Sequence, residues 1–196
     1  MVAEAVLALS SRVDRDWRVG ASGLTWDCWE TVEHVADDLF AYALQLAPKR
    51  APLTGYLPVV CRAPRPGAPL STIFGEPDAG PAGLVQVLDG CGGLLSSLVR
   101  TAAPTVRAYH PYGVSDPAGF AAMGIVEVLV HLHDLAPALE FDWAPTDEIC
   151  DRVLHRLFPH APTDTERWPT LLWATGRTEL PPRPRLESWR WRGEPR

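Results

Sequence analysis

The sequence predicts a mainly α-helical protein, and three observations support this prediction. Apolar residues recur at the helical spacing i, i+3, i+4 and i+7 over several long segments. Prolines and glycines fall mainly between those segments, where helices end. Residues 120–139 are apolar around most of a helical circumference, as expected of a helix buried in a core. Four principal helices joined by loops are typical of an up-and-down bundle.

The first two helices are predicted from apolar stripes on either side of a glycine- and tryptophan-containing loop. Residues 2–18 have the amphipathic pattern of a first helix. After the loop over 19–29, a second helix is expected over about 30–47, and it ends before Pro48. Thr31 can cap this helix, although Glu30 is an equally good first residue.

A proline-rich excursion separates the second helix from the third. Two short β-prone runs, residues 56–61 and 70–74, flank an Arg-Pro-Gly turn and predict a small β-hairpin around 56–74. A third helix follows over 81–101, weakened by the glycines at 90, 92 and 93.

The second half of the chain predicts one long helix and two short ones. Ser115 or Asp116 can cap the long helix, with Pro117 in its first position and Leu139 near its end. Short helices are expected over 147–158, capped by Thr146, and over 165–175, ended by Gly176. The tail carries Trp189 and Trp191 in an alternating run that is expected to pair with the 56–74 strands. Histidines 110, 155 and 160 are interpreted as surface residues.

Composition limits the function classes that fit this chain. Its 196 residues suit one domain or one domain with a short appendage, and the net charge of −6, spread without long charged runs, argues against nucleic acid as a partner. The cysteines at 28, 61, 91 and 150 form no CxxC pair, so no local zinc or redox motif is encoded and reduced thiols are expected. No apolar stretch reaches 18 residues and no leader pattern is seen, which predicts a cytoplasmic protein without a membrane partner.

Three polar residues interrupt the apolar helix 120–139. Glu127, His131 and Asp134 stand at i, i+4 and i+7 and therefore form one line along one side. A buried carboxylate without a partner costs several kcal/mol, so this line requires a cation, a metal ion or a polar cavity. Glu127 and His131 lie close enough to bind one ion, but a third ligand must then come from another element.

The ExxxH spacing by itself is weak evidence for a metal. Glutamate and histidine four residues apart also occur as solvated pairs, and His131 with Asp134 can form a purely structural buried network. The apolar surroundings of the line favour the metal interpretation.

Two stretches resemble one protein family. Glu127 to Ala136, EVLVHLHDLA, is similar to the signature of the DinB-like bundle superfamily, and most closely to the N-terminal domain of mycothiol-dependent maleylpyruvate isomerases. The helix start CWETVEHVADDL, Cys28 to Leu39, is similar to that family's other signature, although more weakly. The resemblance implies a DinB-like four-helix bundle over 1–160, with residues 161–196 forming a short helix and a Trp/Arg-rich tail packed on it.

The resemblance also implies a divalent metal, usually zinc, held by one early and two late ligands. Glu127 and His131 correspond to the two late ligands directly. The alignment places Asp38 where the family has its third ligand, a histidine, and an oxygen donor there also suits manganese or iron. His34, one turn earlier, is the alternative third ligand. Asp134 is expected to fix the tautomer of His131 from outside the ligand set.

Family members with known activity use a low-molecular-weight thiol, so the resemblance implies S-transfer or isomerisation of a small electrophile, with a mycothiol-like thiol as co-substrate. Only a short segment replaces their C-terminal domain, which argues against maleylpyruvate itself as substrate. Arginines 177, 183 and 185 either hold an anionic substrate or are simply solvated. The competing hypothesis is a non-catalytic small-molecule or partner-binding bundle with a degenerate metal site. A homodimer is compatible with either hypothesis.

Overall fold

The computed structural model describes residues 1–195 and confirms that the chain is mainly helical. Six α-helices follow one another along the chain: α1 (Val2–Ser10), α2 (Cys28–Leu46), α3 (Gly80–Thr101), α4 (Pro117–Leu139), α5 (Asp147–Leu157) and α6 (Arg167–Ala174). A 3-10 turn, Pro77–Ala79, leads into α3. Within residues 1–195 no extended strand forms, and the only β-type pairings are isolated antiparallel bridges.

Helix α4 is the centre of the packing. It contacts α2, α3 and α5, while α1 packs against both α3 and α4. Its apolar residues are almost completely inaccessible, among them Val126, Val128, Leu129, Leu132 and Leu135. By length and composition, 77–101 and 117–139 are both apolar enough to cross a membrane. The most apolar window of 117–139 is 78% buried inside the protein, as expected of a core helix, against 33% for 77–101.

Side-chain caps set where α2 and α4 begin. Asp27 accepts a hydrogen bond from the backbone of Glu30 (2.7 Å), and the Glu30 carboxylate accepts one from the backbone of Asp27. This capping box starts α2 at Cys28, so the prediction of a cap at Thr31 was wrong. For α4, Asp116 is the cap, one of the two residues predicted, with Pro117 in the first turn.

The first helix is shorter than its apolar pattern predicted. It ends at Ser10, and the chain turns back so that Trp17 is buried with its indole N–H bonded to the carbonyl of Arg12 (3.0 Å). The turn after Ser10 lets Trp17 bury its large apolar surface in the core, and this burial stabilises the early end of the helix.

The expected hairpin over 56–74 is reduced to one bridge between Arg62 and Ser71. Prolines at 58, 64, 66 and 69 cannot donate the backbone hydrogen bonds that a ladder needs. The segment is held on α2 instead. Asp37 accepts the backbone N–H groups of Thr72 and Ile73 at 2.7 and 2.9 Å, and Glu33 accepts that of Gly75 at 2.9 Å.

The C-terminal tail packs on the helices after a local backbone motif at the end of α6. Gly176 adopts φ +69°, its N–H bonds to the carbonyl of Trp173, and the N–H of Arg177 bonds to that of Leu172. These two bonds form a Schellman motif. The tail then pairs with Tyr112 through Gly193, and not with residues 56–74 as the alternating run had suggested.

Candidate metal centre

The facing sides of α2 and α4 bring together two imidazoles and a carboxylate. His34 from α2 meets Glu127 and His131 from α4, and one potential ligand atom from each lies within 4.8 Å of the others. Glu127 Oε2 is 3.2 Å from His131 Nε2 and 3.9 Å from His34 Nε2. Donors bound tetrahedrally to one zinc ion at about 2.1 Å are about 3.4 Å apart. The two separations from Glu127 lie on either side of this value, so the three residues are candidate ligands for one divalent cation.

Asp38 lies at the edge of this group. Its Oδ2 is 3.4 Å from His34 Nε2, one helical turn away on α2. The family alignment assigned the third ligand position to Asp38 and kept His34 as the alternative. In the structure it is His34 that completes the compact group with Glu127 and His131, and Asp38 stands beside it.

Behind the imidazole of His131 lies a carboxylate–guanidinium pair. His131 Nδ1 donates to Asp134 Oδ2 at 3.0 Å, which leaves Nε2 facing Glu127. Arg177 binds the same carboxylate in a bidentate manner, from Nε at 2.9 Å and from Nη2 at 2.7 Å. A carboxylate behind a ligating histidine orients the ring and makes it a better donor. Asp134 thus contacts both His131 and Arg177, and its supporting role at a metal site stays a prediction.

The carboxylates of the centre have opposite pKa shifts because their neighbours differ. Burial works to raise the pKa of Glu127, but the hydrogen bond and positive charge of His131 outweigh it and hold the pKa below its usual value. Burial followed by repulsion from Glu127 raises the pKa of Asp38 well above its usual value. Burial also opposes ionisation of Asp134, whereas hydrogen bonds from His131 and Arg177 lower its pKa.

The two imidazoles are shifted in opposite directions as well. Burial, followed by the neighbouring charge of His131, lowers the pKa of His34 to about 4. For His131, burial is outweighed by the hydrogen bonds to Asp134 and Glu127, so its pKa is raised. A neutral His34 has a lone pair available for a cation at neutral pH.

The centre opens onto a cavity of about 450 Å³. Helix α4 supplies one wall, the loop around Trp26 another, and residues from the C-terminal segment the third. The Trp26 ring packs edge-on against that of His34, with centroids 4.8 Å apart. The other lining residues that carry large aromatic or cationic side chains are Tyr112, His133, Arg177, Arg185, Trp189 and Trp191.

Two residues lie elsewhere than sequence reasoning expected. His110 was interpreted as a surface residue, yet it is 5% exposed and packs among aromatic rings that include Tyr112 and Trp191. Arg177 was interpreted as solvated or anion-binding, and it is instead engaged with Asp134. Gly176 was recognised as the end of this helix, but the contact of Arg177 with Asp134 joins residues 43 apart along the chain, so the local pattern does not predict it.

Comparison of the chain with protein-family models, with curated proteins and with solved structures finds no match.

Proposed function

We propose that this chain is a metal-dependent enzyme of the DinB/maleylpyruvate isomerase-like type, which uses a low-molecular-weight thiol for S-transfer to, or isomerisation of, a small electrophile. The convergence of His34, Glu127 and His131 at the end of a cavity is the observation that carries the proposal. Three protein ligands with an accessible fourth position are typical of catalytic divalent-metal sites. The resemblance of the two signature stretches supplies the reaction class.

The donor set agrees with a borderline-soft divalent ion, zinc first and manganese or iron next. Such an ion would lower the pKa of a coordinated thiol and so provide a thiolate nucleophile at neutral pH. In this proposal His34, Glu127 and His131 hold the ion, and Asp134 keeps Nε2 of His131 directed towards it. Asp38 stands at the edge of the ligand set, with its Oδ2 3.4 Å from His34 Nε2.

The cavity walls have the chemistry to bind a small polar molecule beside the ion. Arg185 donates its Nε to the carbonyl of Gly176 at 2.6 Å, which anchors the side chain at the cavity rim. Trp26, Trp189 and Trp191 supply flat apolar surface around the opening. A small electrophile with a polar or anionic group suits these walls.

Metal content is the measurement that tests this function. We expect near-stoichiometric metal by plasma mass spectrometry in protein purified without a metal-affinity tag, and loss of that metal in Glu127→Gln and His131→Ala. His160→Ala, which alters an exposed histidine far along the chain, serves as the matched control and retains the metal. The metal-loaded protein is then expected to accelerate consumption of a thiol by a small electrophile, and the two ligand variants are not.

The second candidate is a non-catalytic bundle that binds a small molecule or partner. It is favoured by one observation: the chain of contacts from Glu127 through His131 and Asp134 to Arg177 gives each of these groups a protein partner. A folded wild-type protein that contains no metal, and takes up none when zinc, manganese or iron is added, would support this candidate and overturn the enzyme.

A further inference from the structure

The segment between α2 and the 3-10 turn has an unusual charge. Residues 49–75, called here the basic loop, contain no aspartate or glutamate, although the whole chain carries a net charge of −6. The basic loop contains four cations: Lys49, Arg50, Arg62 and Arg65. The basic loop is therefore positively charged, whereas the rest of the protein is negatively charged.

The basic loop also exposes large apolar side chains. Of the ten large apolar residues that are exposed within residues 1–195, five lie in its stretch 53–70. Val60 is 83% exposed and Leu70 is 68% exposed, and the others are Leu53, Tyr56 and Val59. Single exposed apolar residues are ordinary, but a concentration of them in one loop marks an interaction surface.

Several hydrogen bonds anchor the basic loop to the rest of the protein. Gln45 of α2 binds the carbonyl of Gly55 and the N–H of Leu57, and the indole N–H of Trp26 binds the carbonyl of Gly67. Arg65 binds Glu30 through Nε at 2.7 Å. The backbone of the basic loop is thus anchored at several points, and the apolar side chains that it carries are exposed.

We propose that the basic loop is a docking surface for an anionic membrane. Arg65 is engaged with Glu30 and the guanidinium of Arg62 stacks on the ring of Phe74, so the exposed side chains of Lys49 and Arg50 are the main cations that face lipid headgroups. Each cation near an anionic leaflet adds electrostatic attraction to the lipid surface. Val60, Leu70 and their apolar neighbours enter the boundary between headgroups and acyl chains, which adds the hydrophobic part of the binding energy.

A lipid surface suits the loop better than an acidic protein does. An acidic protein could form ion pairs with the cations. The aliphatic side chains of the basic loop, however, are separated by prolines and do not form the contiguous apolar core that a protein interface needs. The sequence predicted no membrane partner, on the grounds that neither a spanning segment nor a leader is seen, and a membrane-docking surface departs from that prediction. Surface docking requires neither, and it is independent of the metal centre.

Vesicle co-sedimentation tests the proposal. We expect the wild-type protein to bind vesicles containing about 30% phosphatidylserine at least tenfold more strongly than pure phosphatidylcholine vesicles, and to be released as salt rises to about 0.5 M. Val60→Glu combined with Leu70→Glu lowers binding at least about tenfold. Lys49→Glu combined with Arg50→Glu does the same. Leu7→Glu, at an apolar residue 72% exposed on α1, is the matched control and binds like the wild type.

Three outcomes would overturn the proposal. One is the absence of vesicle binding by a wild-type protein whose circular dichroism is helical. Another is equal binding to both vesicle types. The third is binding to soluble polyglutamate without binding to vesicles, which would assign the basic loop to an acidic protein partner.

Discussion

Helix α2 carries acidic residues on two faces, and the two faces use them differently. On the outer face, Glu30, Glu33 and Asp37 meet the guanidinium of Arg65 and the backbone N–H groups of residues 72, 73 and 75. On the inner face, Asp38 meets another carboxylate, that of Glu127, and the imidazole of His34. Both sets of carboxylates are largely buried, so burial alone does not distinguish the two faces. What distinguishes them is the group that each carboxylate contacts.

The inner face is short of positive charge. Within residues 1–195, the ion pairs of Asp38 and Glu127 are formed with histidines alone. The one guanidinium nearby, that of Arg177, is already bound to Asp134. Buried like charges of this kind are tolerated when a cation or a proton compensates them. The comparison therefore predicts that substitutions on the inner face alter ligand binding and that substitutions on the outer face alter stability.

The largest expected effect distinguishes the two candidate third ligands. We expect His34→Ala to lower zinc affinity by more than about 100-fold and Asp38→Ala by about tenfold or less, because His34 is within the compact group and Asp38 is beside it. Competition with a chromogenic chelator measures both constants. A greater loss in Asp38→Ala would instead support the ligand that the family alignment assigned.

The outer face is tested by Asp37→Ala. This substitution leaves the backbone N–H groups of Thr72 and Ile73 without their acceptor, and we expect it to lower the free energy of unfolding by about 2–4 kcal/mol. Urea denaturation followed by circular dichroism measures the loss. Zinc affinity of the folded variant stays close to that of the wild type; a large drop would contradict the separation of the two faces.

A smaller effect is expected from Asp134→Asn. The amide no longer neutralises Arg177 and is a weaker acceptor for His131 Nδ1, so zinc affinity is expected to fall about 10- to 100-fold while the ion still binds. Isothermal titration calorimetry with zinc checks this value. An unchanged affinity would mean that Asp134 serves the fold alone, as in the buried structural network considered from the sequence.

The smallest effect has the opposite sign. Asp38→Asn removes a carboxylate that burial and Glu127 disfavour, so we expect it to raise the stability of the metal-free protein by about 1 kcal/mol. Urea denaturation in the presence of a chelator measures the gain. A destabilised variant would show that the Asp38 carboxylate is stabilised by His34 more than it is penalised by Glu127.

Long helices and the α4 polar line could be predicted from the sequence because they follow from periodicity. The stripe of α2, the proline start of α4 and the i, i+4, i+7 placement of Glu127, His131 and Asp134 are local patterns. The cap at Asp27 was missed although it is local too, because Thr31 offered a competing cap four residues later. Helix α1 was extended too far because nothing in residues 11–18 resembles a helix stop.

The parts that could not be predicted depend on long-range contacts. Whether His34 or Asp38 forms the compact group with both Glu127 and His131 depends on how α2 is rotated against α4. Matching residues to a family signature carries no information on that rotation. The burial of His110 follows from the packing of Trp191, which is 81 residues away along the chain. The segment predicted as a hairpin has apolar residues typical of strands. Its backbone N–H groups, however, bind Asp37 and Glu33 of α2, and its Arg65 binds Glu30.

The position of Arg177 after α6, directly behind the Schellman motif at Gly176, has a consequence for how the protein is synthesised. Arg177 and several walls of the cavity come from the segment that follows α6, so they leave the ribosome after all of the candidate ligands have been synthesised. During translation the helices α2 and α4 can pair while Asp134 still lacks its guanidinium. The ion pair behind His131 and the cavity walls are thus completed late, once residues up to about 191 have emerged. A ribosome-bound chain halted before Arg177 is expected to bind zinc more weakly than the released protein.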